Sequence, residues 1–155
     1  KKSYVKFSAD CPYSFEYPVY ARVEKDTDAN TQPYWYNIQF PTMKATIHLS
    51  YRKIENNLMK ILEDCRALVY KHTVKADAID DNMIQDKKRN LYGLTYDIKG
   101  DAASAYQFIL TDSVTCVVRG ALYFNVPPNK DSIAPVLAFV KQDIKHMLQT
   151  FEWKK

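Results

Sequence analysis

Residues 91–124 show the clearest pattern in the chain, with the sequence LYGLTYDIKGDAASAYQFILTDSVTCVVRGALYF. Apolar side chains alternate with other residues in three successive segments, which is the period-two pattern of half-buried β-strands. The alternating residues are Tyr92, Leu94, Tyr96 and Ile98, then Tyr106, Phe108 and Leu110, then Cys116, Val118, Gly120, Leu122 and Phe124. Gly100-Asp101 and Thr111-Asp112-Ser113 lie between the segments and are typical turn residues. The pattern predicts three consecutive antiparallel strands.

Three more strands are predicted on the N-terminal side of these. Residues 36–40 and 43–51 alternate with period two, and Pro41-Thr42 between them is short enough for a tight turn. Residues 14–23 are expected to form an edge strand, because Pro18 cannot donate a hydrogen bond to a neighbouring strand. The polar stretch that precedes the first segment leaves room for one further strand.

Two long helices are predicted near residues 53–73 and 131–151, because apolar side chains recur there with a period of about 3.6 residues. The first stripe consists of Ile54, Leu58, Ile61, Leu62, Cys65, Leu68, Val69 and His72, and the second of Ile133, Leu137, Val140, Ile144, Leu148 and Phe151. These elements predict one α+β domain over residues 1–155, with residues 1–10 as an N-terminal arm. Its antiparallel sheet of about six to seven strands is packed by the two helices.

The spacing of the three glycines excludes several enzyme motifs. Gly93, Gly100 and Gly120 are separated by seven and twenty residues. The dinucleotide fingerprint, the phosphate-binding loop and the nucleophile elbow need glycines roughly two to five residues apart. We therefore expect no cofactor of these kinds. Gly93 and Gly120 lie within predicted strands, where a missing side chain admits a neighbouring layer.

Charge and cysteine content exclude other classes of protein. The net charge of +4 is spread thinly, with one basic cluster at residues 87–89, so we expect no nucleic-acid partner. Cys11, Cys65 and Cys116 leave at least one thiol unpaired and form no C-x-x-C motif, so we expect no metal site. No apolar run approaches the roughly 20 residues of a membrane-spanning helix.

Three polar residues are candidates for a site on the polar face of the sheet. His48, Asp97 and Arg119 each lie between inward-facing residues of a predicted strand. A deep pocket joining them would indicate an enzyme or a ligand-binding module, whereas a flat or filled face would favour an interaction module. For His48 alone, the ordinary interpretation is a polar residue at the surface or between the layers of the fold. No triad or other catalytic set is indicated by the sequence.

The second helix carries an unusual outer face. Phe139, His146 and Trp153 recur every seven residues opposite the core stripe, provided that the helix extends to residue 153. A soluble helix normally has charged residues on this face. Two interpretations are open: the N-terminal residues cover these three side chains, or the three side chains contact a partner protein.

Four segments together resemble the gliding-motility lipoprotein GldD family of Bacteroidota. They are residues 10–18 (DCPYSFEYP), 47–51 (IHLSY), 62–79 (LEDCRALVYKHTVKADAI) and 119–136 (RGALYFNVPPNKDSIAPV). The likeness extends from about Cys11 to Trp153. The order of elements is also similar to the PsbP and Mog1-like α/β sandwiches, which mostly act as interaction modules.

The resemblance implies a bacterial lipoprotein that an acylated N-terminal cysteine anchors in the cell envelope. It also implies a role in gliding motility and in the linked type IX secretion machinery. Cys11 follows Ala9-Asp10 and precedes Pro12, which does not resemble a lipobox. We therefore expect the chain to be the soluble, periplasm-facing part of a lipoprotein whose lipid anchor lies upstream.

The function predicted on these grounds is that of a non-enzymatic accessory of the gliding and secretion apparatus. Its partners would be other envelope proteins of that apparatus, contacted through Phe139, His146 and Trp153. The alternative is an enzyme or ligand-binding module that acts on an envelope polymer or a small ligand through His48, Asp97 and Arg119.

Overall fold

The computed structural model describes residues 3–7, 9–28, 32–71, 76–102, 104–125 and 130–154, with side chains from residue 133 onward in the last range. The strands are β1 (Tyr4–Lys6), β2 (Tyr13–Ser14), β3 (Glu16–Pro18), β4 (Arg22–Lys25), β5 (Tyr36–Phe40), β6 (Ala45–Lys53), β7 (Ala76–Asp86), β8 (Leu91–Gly100), β9 (Ser104–Thr111), β10 (Cys116–Phe124) and β11 (Glu152–Trp153). The helices are α1 (Leu58–Tyr70) and α2 (Lys130–Thr150), and a 3-10 turn spans Pro41–Met43.

Seven strands form one antiparallel sheet in the order β4-β5-β6-β10-β9-β8-β7. The three strands predicted from residues 91–124 are confirmed as β8, β9 and β10, and they pair in sequence order. Asp112 shapes the turn between β9 and β10, because its Oδ1 accepts hydrogen bonds from the backbone N–H groups of Val114 and Thr115 at 3.0 and 2.8 Å. The predicted α+β fold with two helices is confirmed.

A helix covers each face of the sheet. Successive residues of a strand point to opposite faces, and in β9 the buried Phe108 and Leu110 pack in one core while the buried Ile109 packs in another. Val140 of α2 belongs to the first core and Ile61 of α1 to the second. The sheet therefore has two apolar faces, whereas the sequence pattern was interpreted with one apolar and one polar face.

The first core also receives the N-terminal segment, by which we mean the described residues between 3 and 20. This segment forms two short ribbons, one between β1 and β3 and one between β2 and β11. The single edge strand predicted over residues 14–23 is therefore wrong in its extent. The chain turns after Pro18, where the Ala21 N–H donates to the Pro18 carbonyl at 3.0 Å, and only then enters the large sheet as β4.

An aromatic cluster joins the N-terminal segment to the end of α2. Phe15 stacks against Phe7, with ring centroids 5.0 Å apart, and lies 6.4 Å from Phe151, while Tyr13 lies 5.5 Å from Phe151. Tyr13, Phe15 and Phe151 are each at most 1% exposed. Because these rings bury large apolar areas, the N-terminal segment is part of the hydrophobic core.

The helix α2 ends at Thr150, within a residue of the predicted end, so the condition under which Trp153 would share its outer face is not met. Arg89, at the turn between β7 and β8, donates from Nη1 to the carbonyls of Leu148, Gln149 and Phe151 at 3.0, 3.1 and 2.9 Å. A cation suits the negative end of a helix, and these bonds satisfy carbonyls that have no partner within the helix. Trp153 lies beyond this end, in β11.

Two other boundaries differ from the predictions. The helix α1 begins at Leu58, because Asn56 adopts a left-handed backbone conformation with φ of 60° that interrupts the helix. The predicted end of this helix, including His72, lies outside the described residues. The further strand for which the polar stretch before residue 91 left room is present as β7. It forms the edge of the sheet and pairs with β8 along most of its length.

Candidate functional site

The outer face of α2 is held by polar contacts to the N-terminal segment. The ring of Tyr4 stacks on the ring of His146, with centroids 3.6 Å apart. The Nε2 atom of His146 lies 2.7 Å from Oε1 of Glu16, and the Glu16 N–H donates to Oγ1 of Thr150 at 2.9 Å. The N-terminal segment therefore covers His146. This agrees, for His146, with the first of the two interpretations, that the N-terminal residues cover the outer face of the helix.

Asp143 lies at the centre of these contacts and is 2% exposed. The hydroxyl of Tyr4 donates to its Oδ1 at 2.9 Å, and the hydroxyl of Tyr20 donates to its Oδ2 at 2.5 Å. A buried carboxylate is tolerated when its oxygens accept hydrogen bonds in this way. We call the contacts of Tyr4, Glu16 and Tyr20 with Asp143 and His146 the N-terminal clamp.

The clamp raises the pKa of its two tyrosine hydroxyl groups, those of Tyr4 and Tyr20. Burial, followed by the hydrogen bond to Asp143 and the charge of this residue, raises the pKa of Tyr4 to about 12. The same causes raise the pKa of Tyr20. Each phenol is thus held in its neutral, donating form, because its deprotonation would place two negative charges side by side.

The clamp should make the protein sensitive to alkaline pH. A phenol whose folded pKa is raised stabilises the fold fully below its unfolded pKa of 10.0, and this contribution is lost as pH rises towards 12. We expect the thermal unfolding midpoint to fall more steeply between pH 10.0 and pH 12 in the natural protein than in the double variant Tyr4→Phe/Tyr20→Phe. Circular dichroism melts across this pH range measure the effect, and parallel curves for the two proteins would contradict it.

Phe139 and Trp153 differ from His146 in their surroundings. Phe139 is 40% exposed, and its ring centroid lies 5.8 Å from that of Tyr20. Trp153 is partly buried, packs edge-on against Phe151 at 5.0 Å, and donates from Nε1 to the Asn90 carbonyl at 2.9 Å. The three side chains therefore do not form one continuous helical stripe.

His48 and Arg119 line the same open cleft, which has a volume of about 520 Å³ and lies between the sheet and α1. Asp26, Asp28, Trp35 and Tyr123 also line it. We call it the His48 cleft. His48 of β6 pairs in register with Ala121 of β10, so Arg119 lies two residues away on the adjacent strand. Here the structure brings together two of the three polar residues that the sequence analysis selected.

A chain of hydrogen bonds orients His48. The Asn37 amide donates from Nδ2 to Oδ1 of Asp26 at 3.4 Å, so its Oδ1 accepts from Nδ1 of His48 at 2.6 Å. Partial desolvation is the largest effect on the pKa of His48 and lowers it. The charges of Asp26 and Asp28 raise this pKa and the charge of Arg119 lowers it, and the net result is a pKa below the usual value. The imidazole is therefore neutral at pH 7, with its proton on Nδ1 and the lone pair on Nε2.

Asp97 lies on the opposite face of the sheet, so the expectation that it shares a face with His48 and Arg119 is wrong. It pairs in register with Tyr106, whose ring belongs to the core under α2, and its Oδ2 forms an ion pair with Nζ of Lys141. Both residues line a second cleft of about 670 Å³ beside α2. The physical reason is the two-sided sheet, in which the polar positions of different strands point to different faces.

The sequence analysis missed Asp143, Asn37 and Gln107, all of which support the candidate residues. Asp143 had a recognisable signal, since it lies three residues after Val140 and four before Met147, both buried core residues. A carboxylate at such a helical position has to be partnered. Asn37 and Gln107 are polar residues inside alternating strands, and no sequence signal separates them from ordinary surface positions.

The described part of the chain contains no cluster of three or more histidine, cysteine or acidic residues that could hold a metal ion. Cys11, Cys65 and Cys116 are buried free thiols. In the same described ranges, no helix combines the length and hydrophobicity that a membrane crossing requires.

The fold defines the class of protein to which the chain belongs, an antiparallel α/β sandwich of the PsbP type. The solution structure of cyanobacterial PsbP (CyanoP) from Synechocystis sp. PCC 6803 has a TM-score of 0.58 and 11% sequence identity, covering 97% of this chain and 92% of that chain. At this identity the likeness concerns the fold alone. No curated protein sequence matches the chain.

The chain belongs to the gliding motility lipoprotein GldD family, whose model matches residues 1–153. The resemblance noted in the sequence is thereby confirmed over nearly the whole chain. Membership makes the protein a component of gliding motility and implies a membrane-anchored place in the cell envelope.

Proposed function

We propose that the protein is a non-enzymatic, periplasm-facing accessory of the gliding apparatus and of the linked type IX secretion machinery, and that it works through protein–protein contacts. Family membership supports the link to gliding. The observation that carries the proposed contacts is the exposure of Phe139 next to a helix face that the N-terminal clamp otherwise covers.

Phe139 and Tyr20 form a small aromatic surface. Phe139 is 40% exposed, and its ring centroid lies 5.8 Å from that of the partly buried Tyr20. We call these two residues the Phe139 patch. Aromatic side chains on a rigid support are the groups that most often dominate binding energy at protein interfaces. The clamp supplies such a support, because it fixes Tyr20 through Asp143.

The division of the polar residues between two faces also supports a non-enzymatic role. The alternative enzyme required His48, Asp97 and Arg119 in one pocket, and Asp97 is instead paired with Lys141 on the other face. His48 and Arg119 keep a common cleft, whose charged groups suit binding.

A photocrosslinking amino acid at position 139 tests the proposed contacts in native envelopes. We expect ultraviolet light to link the lipoprotein to a gliding or type IX secretion component, identified by mass spectrometry. Val114, in the β9–β10 turn and 72% exposed, is the matched control position and should give no such adduct. Adducts at position 139 that contain no component of this apparatus would refute the proposal.

The variant Phe139→Asp tests the same patch in living cells. Introducing a charge at a contact centre should reduce colony spreading severely, because the apolar contact is lost and the carboxylate has to be desolvated. Val114→Asp controls for the added charge and should spread normally. Both variants should accumulate to natural levels in the envelope, since both positions are exposed. Normal spreading of Phe139→Asp cells would contradict the proposal.

A further inference from the structure

The His48 cleft contains a cation, Arg119, that forms no ion pair with another described residue. Nη2 of Arg119 donates to Oε1 of Gln107, which is fully buried. Nε of Arg119 and Nε2 of Gln107 are buried and have no hydrogen-bond partner among the described residues. A half-buried guanidinium held by a neutral amide is stabilised when an anion is placed against it.

Two carboxylates, Asp26 and Asp28, line the same cleft. Oδ1 of Asp26 accepts from the Asp28 N–H at 3.2 Å and from the Asn37 amide at 3.4 Å, so both of its partners are neutral groups. Neither Asp26 nor Asp28 belongs to an ion pair between described residues. The third carboxylate of the cleft, that of Asp64, is already neutralised, because it forms ion pairs with Arg52 at 2.8 Å and with Lys60 at 2.9 Å.

The positions of these charges set the size of a complementary ligand. Asp26 is linked through Asn37 to β5, whereas Arg119 lies on β10, and β6 runs between these two strands. Two strand spacings correspond to about 10 Å. The guanidinium of Arg119 does not shorten this distance, because it bonds to Gln107 of β9, on the side of β10 away from β5. The neutral His48 lies between the two ends and adds no charge, and Trp35 and Tyr123 provide aromatic walls.

We propose that the His48 cleft binds a small zwitterion whose carboxylate meets Arg119 and whose ammonium group meets Asp26 and Asp28. The separation of the charges selects a diamino acid or a short peptide over a single α-amino acid with adjacent charged groups. A cleft of about 520 Å³ lies within the range of small-molecule sites. This site is independent of the Phe139 patch.

The second cleft does not present the same chemistry, although it is larger. Its Asp97 is neutralised by Lys141, and its Arg89 is occupied by Asp86 at 2.7 Å and by the end of α2. Asp97, Lys141 and Arg89 there bind other protein groups, whereas Arg119, Asp26 and Asp28 of the His48 cleft face a space that a ligand can fill.

Titration with Nα-acetyl-lysine, followed by nuclear magnetic resonance of backbone amides, tests the proposal. This probe has one carboxylate and one distant ammonium group. Nα-acetyl-lysine amide lacks the carboxylate, and Nα,Nε-diacetyl-lysine lacks the ammonium group. We expect shifts at the cleft residues and about tenfold weaker binding of each control compound, the size of one lost charge-assisted contact.

Two variants assign the ends of the ligand. Arg119→Gln should remove the preference for the free carboxylate over the amide, while Asp26→Asn/Asp28→Asn should remove the preference for the free ammonium over the acetylated form. Lys141→Gln in the second cleft is the control and should change neither preference. If Arg119→Gln fails to fold, the surface double variant still tests the ammonium end. Equal binding of all three probes, or no cleft shifts at millimolar probe, would overturn the proposal.

Discussion

Replacing Gly93 with alanine should destabilise the protein by more than about 3 kcal/mol, because the new methyl group has no space. A Cβ atom at this position would lie 1.8 Å from the carbonyl oxygen of Ile109 and 2.9 Å from its carbonyl carbon. These atoms belong to the backbone of β9, which pairs with β8 beside Gly93. No rotation of a side chain can relieve the overlap, so β8 and β9 have to separate.

Gly120→Ala is the matched comparison, because the obstacle there is a side chain. The added Cβ would lie 2.1 Å from Cζ of Phe108, a ring that is 1% exposed. A ring can shift where a backbone carbonyl cannot, so we expect a smaller cost of about 1–3 kcal/mol. Urea unfolding followed by tryptophan fluorescence gives both free energies. A Gly93→Ala variant within about 0.5 kcal/mol of the natural protein would show that β8 and β9 do not pair in this register.

Phe15→Ala should cost about 3–5 kcal/mol, the usual range for removing a phenylalanine from a packed core. Phe15 is 1% exposed and lies within 6.4 Å, between ring centroids, of Phe7, Tyr13 and Phe151. The truncation leaves a cavity among rings that come from both ends of the described chain. Because the neighbours are held by β-pairing and by the end of α2, we expect the cavity to collapse only partly.

Val19→Ala is the control for Phe15→Ala within the same N-terminal segment. Val19 is 57% exposed, so its truncation should change the free energy of unfolding by less than about 0.5 kcal/mol. Thermal and urea unfolding of the two variants provide the comparison. If Phe15→Ala were as stable as Val19→Ala, the N-terminal segment would have to be a detachable arm and the clamp on α2 would not exist in solution.

Much of the local structure was predictable because it depends on the spacing of side chains along the chain. The alternation in residues 91–124 predicted β8, β9 and β10, and the stripe around Val140 and Ile144 predicted α2 to within a residue at each end. The positions of Gly93 and Gly120 within predicted strands were also informative. Neighbouring atoms leave no room for a Cβ at either position.

The candidate sites were predictable only in part. Choosing His48 and Arg119 from their strands was sufficient to find the cleft, but Asp97 was placed on the wrong face. Alternation shows which residues of one strand share a face. It does not show which of the two faces this is when both are apolar, and both faces of this sheet are covered by a helix.

The end of α2 illustrates the same limit. Trp153 continues the seven-residue spacing of Phe139 and His146, yet the helix ends before it, where Arg89 binds the last carbonyls and where Phe151 enters the aromatic cluster. Arg89 and the aromatic cluster of the N-terminal segment are both distant from the helix end along the chain. No local sequence pattern predicts these contacts. The spacing of Phe139 and His146 was correct, but their environments differ because only His146 lies under the ring of Tyr4.

By itself, the sequence of this protein determined its class of fold, the position of most strands and helices, and its membership of a family. These follow from local periodicity and from ordered strings of residues. Only the tertiary structure decided that Asp143 is buried beneath two tyrosines, that Asp97 and His48 lie on opposite faces, and that Arg119 faces a cleft while forming no ion pair with the residues described. The reason is physical: burial and charge pairing depend on which elements pack together, and packing joins residues that are far apart in the chain.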